Sequence, residues 1–542
     1  MQSFKVKLTC LALLIFISGV LAQIDITVRW NRPRGQVTPE LLGLNVWDGY
    51  DTATSTHPDY QDNIAYMSPG LIRFHASEST RDSGQHDRGW VNYDERTWDA
   101  EKIAEILAAF ESHDNMQMTI SNWPSWMDPD NNGKLHKDQF PAYAQWCADL
   151  VQLVNINLGF GIPFWSTFNE AENKVEGNAN GLAELYVQCA TAMKAVDPSI
   201  KIGGGEWTQP WDDAGLNAFI AGAQEHLDFF TYHHYVTGDP NKTDDEIFAA
   251  ANGMASRGSA IQNKLTSNGL DIPLWITENN IFWSWDLDKR KIMRSVKAAI
   301  YQALLLKHLA EAGAVDGTAI WNDSDNTYGV MSSSFDKRAT THLIMLKNNY
   351  MLGTPVSTIS RKSTMVNAFA VDAPTGKVVM LINQTAADTT VNLDFVDWMP
   401  AGASMEIHSI TGSGYDQQSA ALDENWAQNI TVAAFSIKML RFADETAVDV
   451  QQDAAPEYFQ LTAYPNPFNL QTNIRFTLEQ SSYVDLDIYD ITGRHIRTLL
   501  SNELTPGQLQ ISWNAFDQPS GTFVIQLVTD DLVDFYKVTL VK

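Results

Sequence analysis

Residues 162–170 read IPFWSTFNE. The run is apolar and strand-like, yet it ends on an amide and a carboxylate, Asn169-Glu170, where turn residues would be usual. Seven other short runs share this character: LLGLNVW (41–47), GLIRFHAS (70–77), MQMTISNW (116–123), IKIGGGEW (200–207), LDFFTYHHY (227–235), IPLWITENN (272–280) and GTAIWNDSD (317–325). Between them lie segments such as AEKIAEILAAFESH and RKIMRSVKAAIYQALLLKHLAEAG, with apolar residues at the three- and four-residue spacing of a helix. Eight strand-then-helix units in succession predict an α/β fold, the closed parallel (β/α)8 TIM barrel. The rival is a doubly wound open sheet, which would carry a Gly-rich phosphate turn after its first strand, and LGLNVWDGY has none. Gly203-Gly204-Gly205 opens onto Glu206-Trp207-Thr208 and is not a dinucleotide fingerprint either.

The barrel is expected over residues 23–345. From 346 to 442 the pattern becomes short, alternating strands separated by Gly, Pro and Asp turns, which predicts an antiparallel β-sandwich. IDITVRW (24–30) alternates too and is a candidate strand for that sandwich from the N-terminal side. Residues 443–458 are polar and acidic, a linker, and 459–542 read as a second small β module.

Lys5 and Lys7 precede an apolar stretch that closes on Val20-Leu21-Ala22, so residues 1–22 read as a secretory signal peptide. No later stretch is long and apolar enough to span a bilayer. A net charge of −28 argues against nucleic acid or an anionic membrane as partner. Cys147 and Cys189 fall in helix-like segments and are expected as buried thiols, with a single bridge between them left open. DPDNNGKLHKDQ (128–139) has part of a calcium-loop spacing, but its twelfth position is Gln139, and an Asp/Asn-rich turn is the expectation. No metal and no cofactor is assigned.

In a parallel barrel the active groups gather at the C-terminal ends of the strands. Glu170 ends the fourth run and Glu278 ends the seventh, so the two carboxylates are expected to converge over one cleft. Two carboxyl groups about 5–5.5 Å apart cleave a glycosidic bond with retention. On this reading Glu170 is the acid/base and Glu278 the nucleophile. Their proximity would raise the pKa of the acid while the nucleophile stays ionised. Asn169 would donate to the substrate 2-hydroxyl.

At these residues the chain resembles clan A of the retaining glycoside hydrolases, which places Asn-Glu at the end of strand four and Glu at the end of strand seven. Within the clan it is most like glycoside hydrolase family 39. The supporting motifs are Arg73-Phe74-His75 on the second run, Thr231-Tyr232-His233-His234-Tyr235 on the sixth, Thr277-Glu278 on the seventh and Trp321 on the eighth. The chain departs from the usual Asn-Glu-Pro with Asn169-Glu170-Ala171. The resemblance implies that Arg73 and Tyr235 hold the nucleophile, that His75 and His233 donate to sugar hydroxyls, and that Trp321 floors the subsite of the cleaved sugar. Trp123, Trp126, Trp207, Trp211, Trp283 and Trp285 lie in or near loops at the expected active face, where a row of platforms would suit an endo-acting enzyme.

Tyr464-Pro465-Asn466-Pro467-Phe468, Gly493-Arg494 and Ser520-Gly521 resemble the C-terminal sorting domain of type IX secretion over residues 459–542. That implies the type IX machinery as a partner and a secreted or cell-surface location. The expected function is hydrolysis of a β-linked cell-wall or algal polysaccharide. An exo-acting β-xylosidase-like enzyme on oligosaccharides is the alternative, and a non-catalytic carbohydrate-binding protein is the reading from a different class.

Overall fold

The computed structural model describes residues 23–75, 89–113, 115–208, 210–400, 404–422, 425–442, 461–478, 482–490, 495–516, 518–529 and 533–542. The expected signal peptide at 1–22, the linker at 443–458 and the Gly493-Arg494 turn lie outside these. The chain divides into two compact units, 1–447 and 448–542.

The eight apolar runs form eight strands of the first unit. They are β2 (Gly43–Val46), β3 (Ile72–His75), β6 (Met116–Thr119), β7 (Phe164–Ser166), β8 (Lys201–Trp207), β9 (Phe229–Thr237), β10 (Leu274–Phe282) and β11 (Gly317–Ile320), with a two-residue hairpin, β4 (Val91–Asn92) and β5 (Thr97–Trp98), outside the ring. They close in the order β10-β11-β2-β3-β6-β7-β8-β9, and every neighbouring pair is parallel. β2, β3, β6 and β11 are buried at every position. Strands covered on both faces need no polar alternation, which is why the sequence shows runs rather than stripes.

Around the ring lie α1 (Thr52–Ser55), α2 (Pro58–Met67), α3 (Ala100–Ala108), α4 (Phe140–Val151), α5 (Asn178–Val196), α6 (Asp213–Ala223), α7 (Asp244–Ser267), α8 (Val296–Ala312) and α9 (Ala339–Tyr350). Side-chain caps set the starts of several: Asp99 accepts from Lys102 N ahead of α3, and Thr243 with Glu246 forms a reciprocal capping box on α7. Helix α8 ends on Gly313 at φ 62°, a left-handed stop that glycine takes without a Cβ penalty.

Nine strands form the second sheet of this unit. They are β1 (Ile24–Pro33), β12 (Thr354–Ser360), β13 (Val366–Ala373), β14 (Gly376–Asn383), β15 (Thr389–Val396), β16 (Ser404–Thr411), β17 (Gly414–Ala421), β18 (Ile430–Val432) and β19 (Ser436–Phe442), in the order β17-β16-β19-β14-β13-β12-β1-β15-β18. Pairing is antiparallel throughout except that β1 runs parallel to β15. Strand alternation assigns the two faces. Val366, Ala368 and Ala370 point into the sandwich core with Ile24, Ile26 and Val28, while Phe369 and Val371 join the barrel core. Helix α8 is therefore buried on nearly every side, from Ala298 to Ala310, because the sheet covers the face a barrel helix would expose.

The second unit, described by itself, stacks a three-stranded sheet on a four-stranded one around a single core that includes Trp513. The sheets are β20 (Thr462–Tyr464), β21 (Gln471–Leu478) and β24 (Gly507–Asn514), and β22 (Ser482–Asp490), β23 (His495–Leu504), β25 (Gly521–Val528) and β26 (Val533–Leu540). The Pro-Asn-Pro turn has a specific task. Asn466 donates to Lys537 O (3.0 Å) and accepts from Thr539 N (2.9 Å), which clips the turn to the last strand.

Candidate active site

Two bulges shape the mouth of the barrel. Between β8 and β9 the register runs from Gly204↔Phe230 to Trp207↔Tyr232, so β8 carries one extra residue. Gly205 sits there at φ 108°, and a Cβ on it would lie 2.3 Å from Thr231 O, so only glycine fits. The distortion continues into Glu206 at φ 37° and turns its carboxylate into the barrel. Between β9 and β10 the register runs from Tyr232↔Ile276 to His233↔Glu278, again with one extra residue, now on β10. Just past the end of β7, Glu170 adopts φ 50°, and its N–H reaches Glu206 O at 3.2 Å.

These distortions assemble one hydrogen-bonded cluster. Carboxylate oxygens of Glu170 and Glu278 and a ring nitrogen of His233 all lie within 4.8 Å of one another. Arg73 is the cationic hub. Its Nη1 donates to Asn45 Oδ1 (2.7 Å) and Glu278 Oε1 (3.1 Å), and its Nη2 to Asn169 Oδ1 (2.6 Å) and Glu206 Oε2 (3.2 Å). Tyr235 donates to Glu278 Oε2 at 2.8 Å, and His75 Nε2 lies 3.5 Å from Glu278 Oε1. Asn169 spends its carbonyl oxygen on Arg73, so its amide N–H groups remain to be offered to a ligand.

His233 bridges two carboxylates, with Nδ1 at 2.8 Å from Glu170 Oε1 and Nε2 at 3.0 Å from Glu206 Oε2. An ionised carboxylate only accepts, so both ring nitrogens must donate and the ring is an imidazolium. Burial alone would push its pKa down. The charge of Glu278 and the hydrogen bonds to Glu170 and Glu206 outweigh burial and lift it to about 10. The trio Glu170, His233 and Glu278 has the donor types of a metal site, but a ring with both nitrogens protonated has no lone pair for a cation.

Burial would raise Glu206, yet the Arg73 charge and then His233 hold it near 2. Glu278 is raised by burial, against the pull of His233 and Arg73. Glu170 is lowered, because the His233 hydrogen bond and charge overcome its own burial. This reverses the expectation that closeness of the two acids would raise Glu170. The imidazolium sits on Glu170, so in the unliganded cluster the proton rests on the histidine. His75, by contrast, is held neutral by burial and by the positive charges of Arg73 and His233.

The other expected residues divide. Trp321 lies at the mouth with its ring 5.0 Å from those of both Trp47 and His75. His233 is 1% exposed and both its nitrogens are engaged, so it does not reach a sugar hydroxyl as expected. Trp123 is 5% exposed and packs edge-on against Tyr143, and Trp207 is buried against Phe219 and is no platform. Trp211, Trp283 and Trp285 are open, at 64, 63 and 70% exposure. In the stretch considered for calcium, Asp128 accepts from Asn132 N and Gly133 N, as an Asp-rich turn does.

Sequence reading passed over Glu206, Asn45 and Gln117, whose amide donates to Glu206 Oε1 at 2.9 Å. The available signal for the first was a carboxylate directly after three glycines at a strand end.

Residues 161–336 match the sequence model of glycosyl hydrolases family 39. The protein is a glycoside hydrolase. Residues 462–540 of the hydrolase match the secretion system C-terminal sorting domain, which marks it for the type IX machinery and for a secreted or cell-surface location. No curated protein matches it in sequence. Among solved structures the hydrolase is similar to a monomeric β-xylosidase from Caulobacter crescentus, at 14% identity and a TM-score of 0.59 over 78% of this chain and 99% of that one. A glucosidase from Croceicoccus marinus gives 14% and 0.59 over 78% and 99%. A family 30 endoxylanase from Clostridium papyrosolvens gives 15% and 0.54 over 78% and 100%. At such identities the likeness concerns the fold.

Proposed function

We propose that the hydrolase cleaves a β-linked cell-wall or algal polysaccharide at internal bonds by double displacement, with Glu278 as nucleophile and Glu170 as acid/base. The observation that carries this reading is the approach of the two carboxylates to within 4.8 Å at neighbouring oxygens. That spacing leaves no room for a water between acid and base and suits attack by the carboxylate itself.

Glu278 attacks the anomeric carbon while Glu170 delivers a proton to the departing glycosidic oxygen. Water then attacks the glycosyl-enzyme and Glu170 takes its proton. Arg73 offsets charge on Glu278 and fixes the Asn169 carbonyl, which leaves the Asn169 amide to hold the 2-hydroxyl. Tyr235 steadies Glu278 until the covalent bond forms. Trp321 offers its face beneath the sugar in the bond-cleaving subsite.

The open rings of Trp211, Trp283 and Trp285 support the endo reading. They are carried by the loops after β8 and β10 and offer stacking surface for several sugar units in a row. A β-xylosidase of similar fold supports exo action on short chains instead. Incubation with a panel of plant and marine polysaccharides, with products resolved by size, decides between them. Oligomer ladders support endo cleavage and a lone monosaccharide supports exo cleavage. NMR of the first-formed anomer tests retention, and an inverted product would remove the double displacement.

A further inference from the structure

Glu206 is an anomaly for a barrel interior. It is a fully buried carboxylate at positive φ, and the cost of holding it there is met by a complete set of donors. Oε1 accepts from Gln117 Nε2 (2.9 Å), and Oε2 accepts from Thr277 Oγ1 (2.5 Å), His233 Nε2 (3.0 Å) and Arg73 Nη2 (3.2 Å). No part of it faces the cleft, so it cannot touch a sugar. Its partners are the residue that bonds Glu170, the residue that bonds Glu278, and the threonine next to Glu278.

The charged groups around His233 come from four strands or the loops that follow them: Arg73 on β3, Glu170 after β7, Glu206 on β8 and Glu278 on β10. His75 on β3 is neutral, and Tyr235, two residues along β9, bonds Glu278. Two cations, Arg73 and His233, therefore face three carboxylates. Glu206 stays ionised under its four donors and balances one cation permanently. Glu278 balances the other. The third carboxylate, Glu170, is the most open of the three, with 34% of its side chain exposed, so it is the one a departing glycosidic oxygen can reach.

We propose that Glu206 is a positioning residue for the catalytic pair: it fixes His233 by Nε2–H so that Nδ1–H is presented to Glu170 as the proton for the leaving group. In the glycosylation step the proton passes from His233 Nδ1 to Glu170 and on to the glycosidic oxygen as the C–O bond breaks and the Glu278–C1 bond forms. His233 is left neutral, still donating Nε2–H to Glu206, with a free lone pair at Nδ1 beside the Glu170 carboxylate that is ready to take the next proton. In the second step the proton of the attacking water enters at Glu170 and returns to His233 Nδ1 as the Glu278–C1 bond breaks. Protons and electron pairs balance over the cycle, and no co-reactant is needed.

This rests on the reading of Glu170 as acid/base, so the test has a readout that does not. Full-length protein labelled with ¹⁵N-histidine is titrated by NMR as wild type and as Glu206→Gln, alongside pH profiles of kcat and kcat/KM. In Glu206→Gln the His233 titration is expected to fall by two or more pH units. The alkaline limb of kcat is expected to move down with it, kcat to fall at least tenfold at neutral pH, and KM to change less than threefold. A folded Glu206→Gln whose His233 titration and alkaline limb both stay in place overturns the proposal, as does a loss confined to KM. Where Glu206→Gln does not accumulate, Glu206→Asp withdraws the carboxylate by one methylene. It should give smaller displacements in the same direction, and no displacement counts against the proposal. An inactive wild type with a displaced His233 titration would remove the functional reading and leave the Glu206–His233 linkage standing.

Discussion

Tyr235 donates its phenolic hydroxyl to Glu278 Oε2 at 2.8 Å, with the ring rooted in a strand adjacent to the one that carries the carboxylate. A hydrogen bond to a charged acceptor contributes about 1.5–3 kcal/mol. Tyr235→Phe is therefore expected to lower kcat roughly ten- to a hundredfold while the protein stays folded. Since the bond must be surrendered to the covalent intermediate, pre-steady-state kinetics should show the loss in the turnover of that intermediate.

Glu170→Gln and Glu278→Gln should be told apart by leaving group. Without Glu170, natural substrates lose the proton donor, an effect of roughly 10²- to 10⁴-fold. Aryl glycosides that leave without protonation should still glycosylate Glu278. Glu278→Gln removes the attacking atom, and both substrate types should fall by on the order of 10⁴-fold or more. Equal losses in the two variants on activated aryl glycosides would contradict the assigned roles.

Stability should depend on pH through the same cluster. His233 titrates near 10 in the folded protein against an ordinary 6.5, so its contribution is complete below about pH 6.5 and disappears as pH rises through 10. Glu206 titrates near 2 against an ordinary 4.5, so its contribution is complete above about pH 4.5 and disappears as pH falls toward 2. Urea unfolding across this range should show a plateau between pH 4.5 and 6.5 from these two groups. The alkaline decline should be shallower in Glu206→Gln.

Arg73→Met should be costly in two ways. It removes a fully buried cation from Glu206, itself fully buried, and from Glu278, and breaking a buried pair costs about 3–5 kcal/mol. Thermal unfolding should detect that loss, and any folded enzyme should be inactive at neutral pH because Glu278 would hold its proton more tightly.

Alanine at Trp283 and Trp285 should leave stability within about 0.5 kcal/mol, as expected for exposed positions. On the endo reading, KM for polymer should rise severalfold while hydrolysis of a short aryl glycoside changes little. Equal effects on both would place these rings elsewhere than along the polymer.

The legible part of the site was the part tied to strand ends. Asn169, Glu170 and Glu278 could be found because a parallel barrel puts its chemistry there, and a carboxylate closing an apolar run is visible in one dimension. Arg73 and Tyr235 followed from resemblance. Glu206 escaped because its inward turn depends on a single-residue bulge, and a bulge does not alter composition. The proton's resting place escaped for a related reason. Two acids were seen approaching, but the cation wedged against one of them arrives from β9, and only the three-dimensional arrangement shows it closer to Glu170 than to Glu278. The tryptophans illustrate the same limit. Trp207 and Trp211 are four positions apart, one sealed beneath α6 and the other open, and nothing in the letters separates them. The alternation in 24–30, on the other hand, identified the strand that leaves the barrel for the sandwich.

That strand has a consequence for how the molecule is made. Gln23, just ahead of β1, donates to Asn392, 369 positions later, so the first strand off the ribosome is among the last to find its neighbours. At roughly 5–20 residues per second, the interval is about 20 to 70 s. For most of that interval β1 has neither β12 nor β15 to pair with, because both are made only after all eight barrel strands.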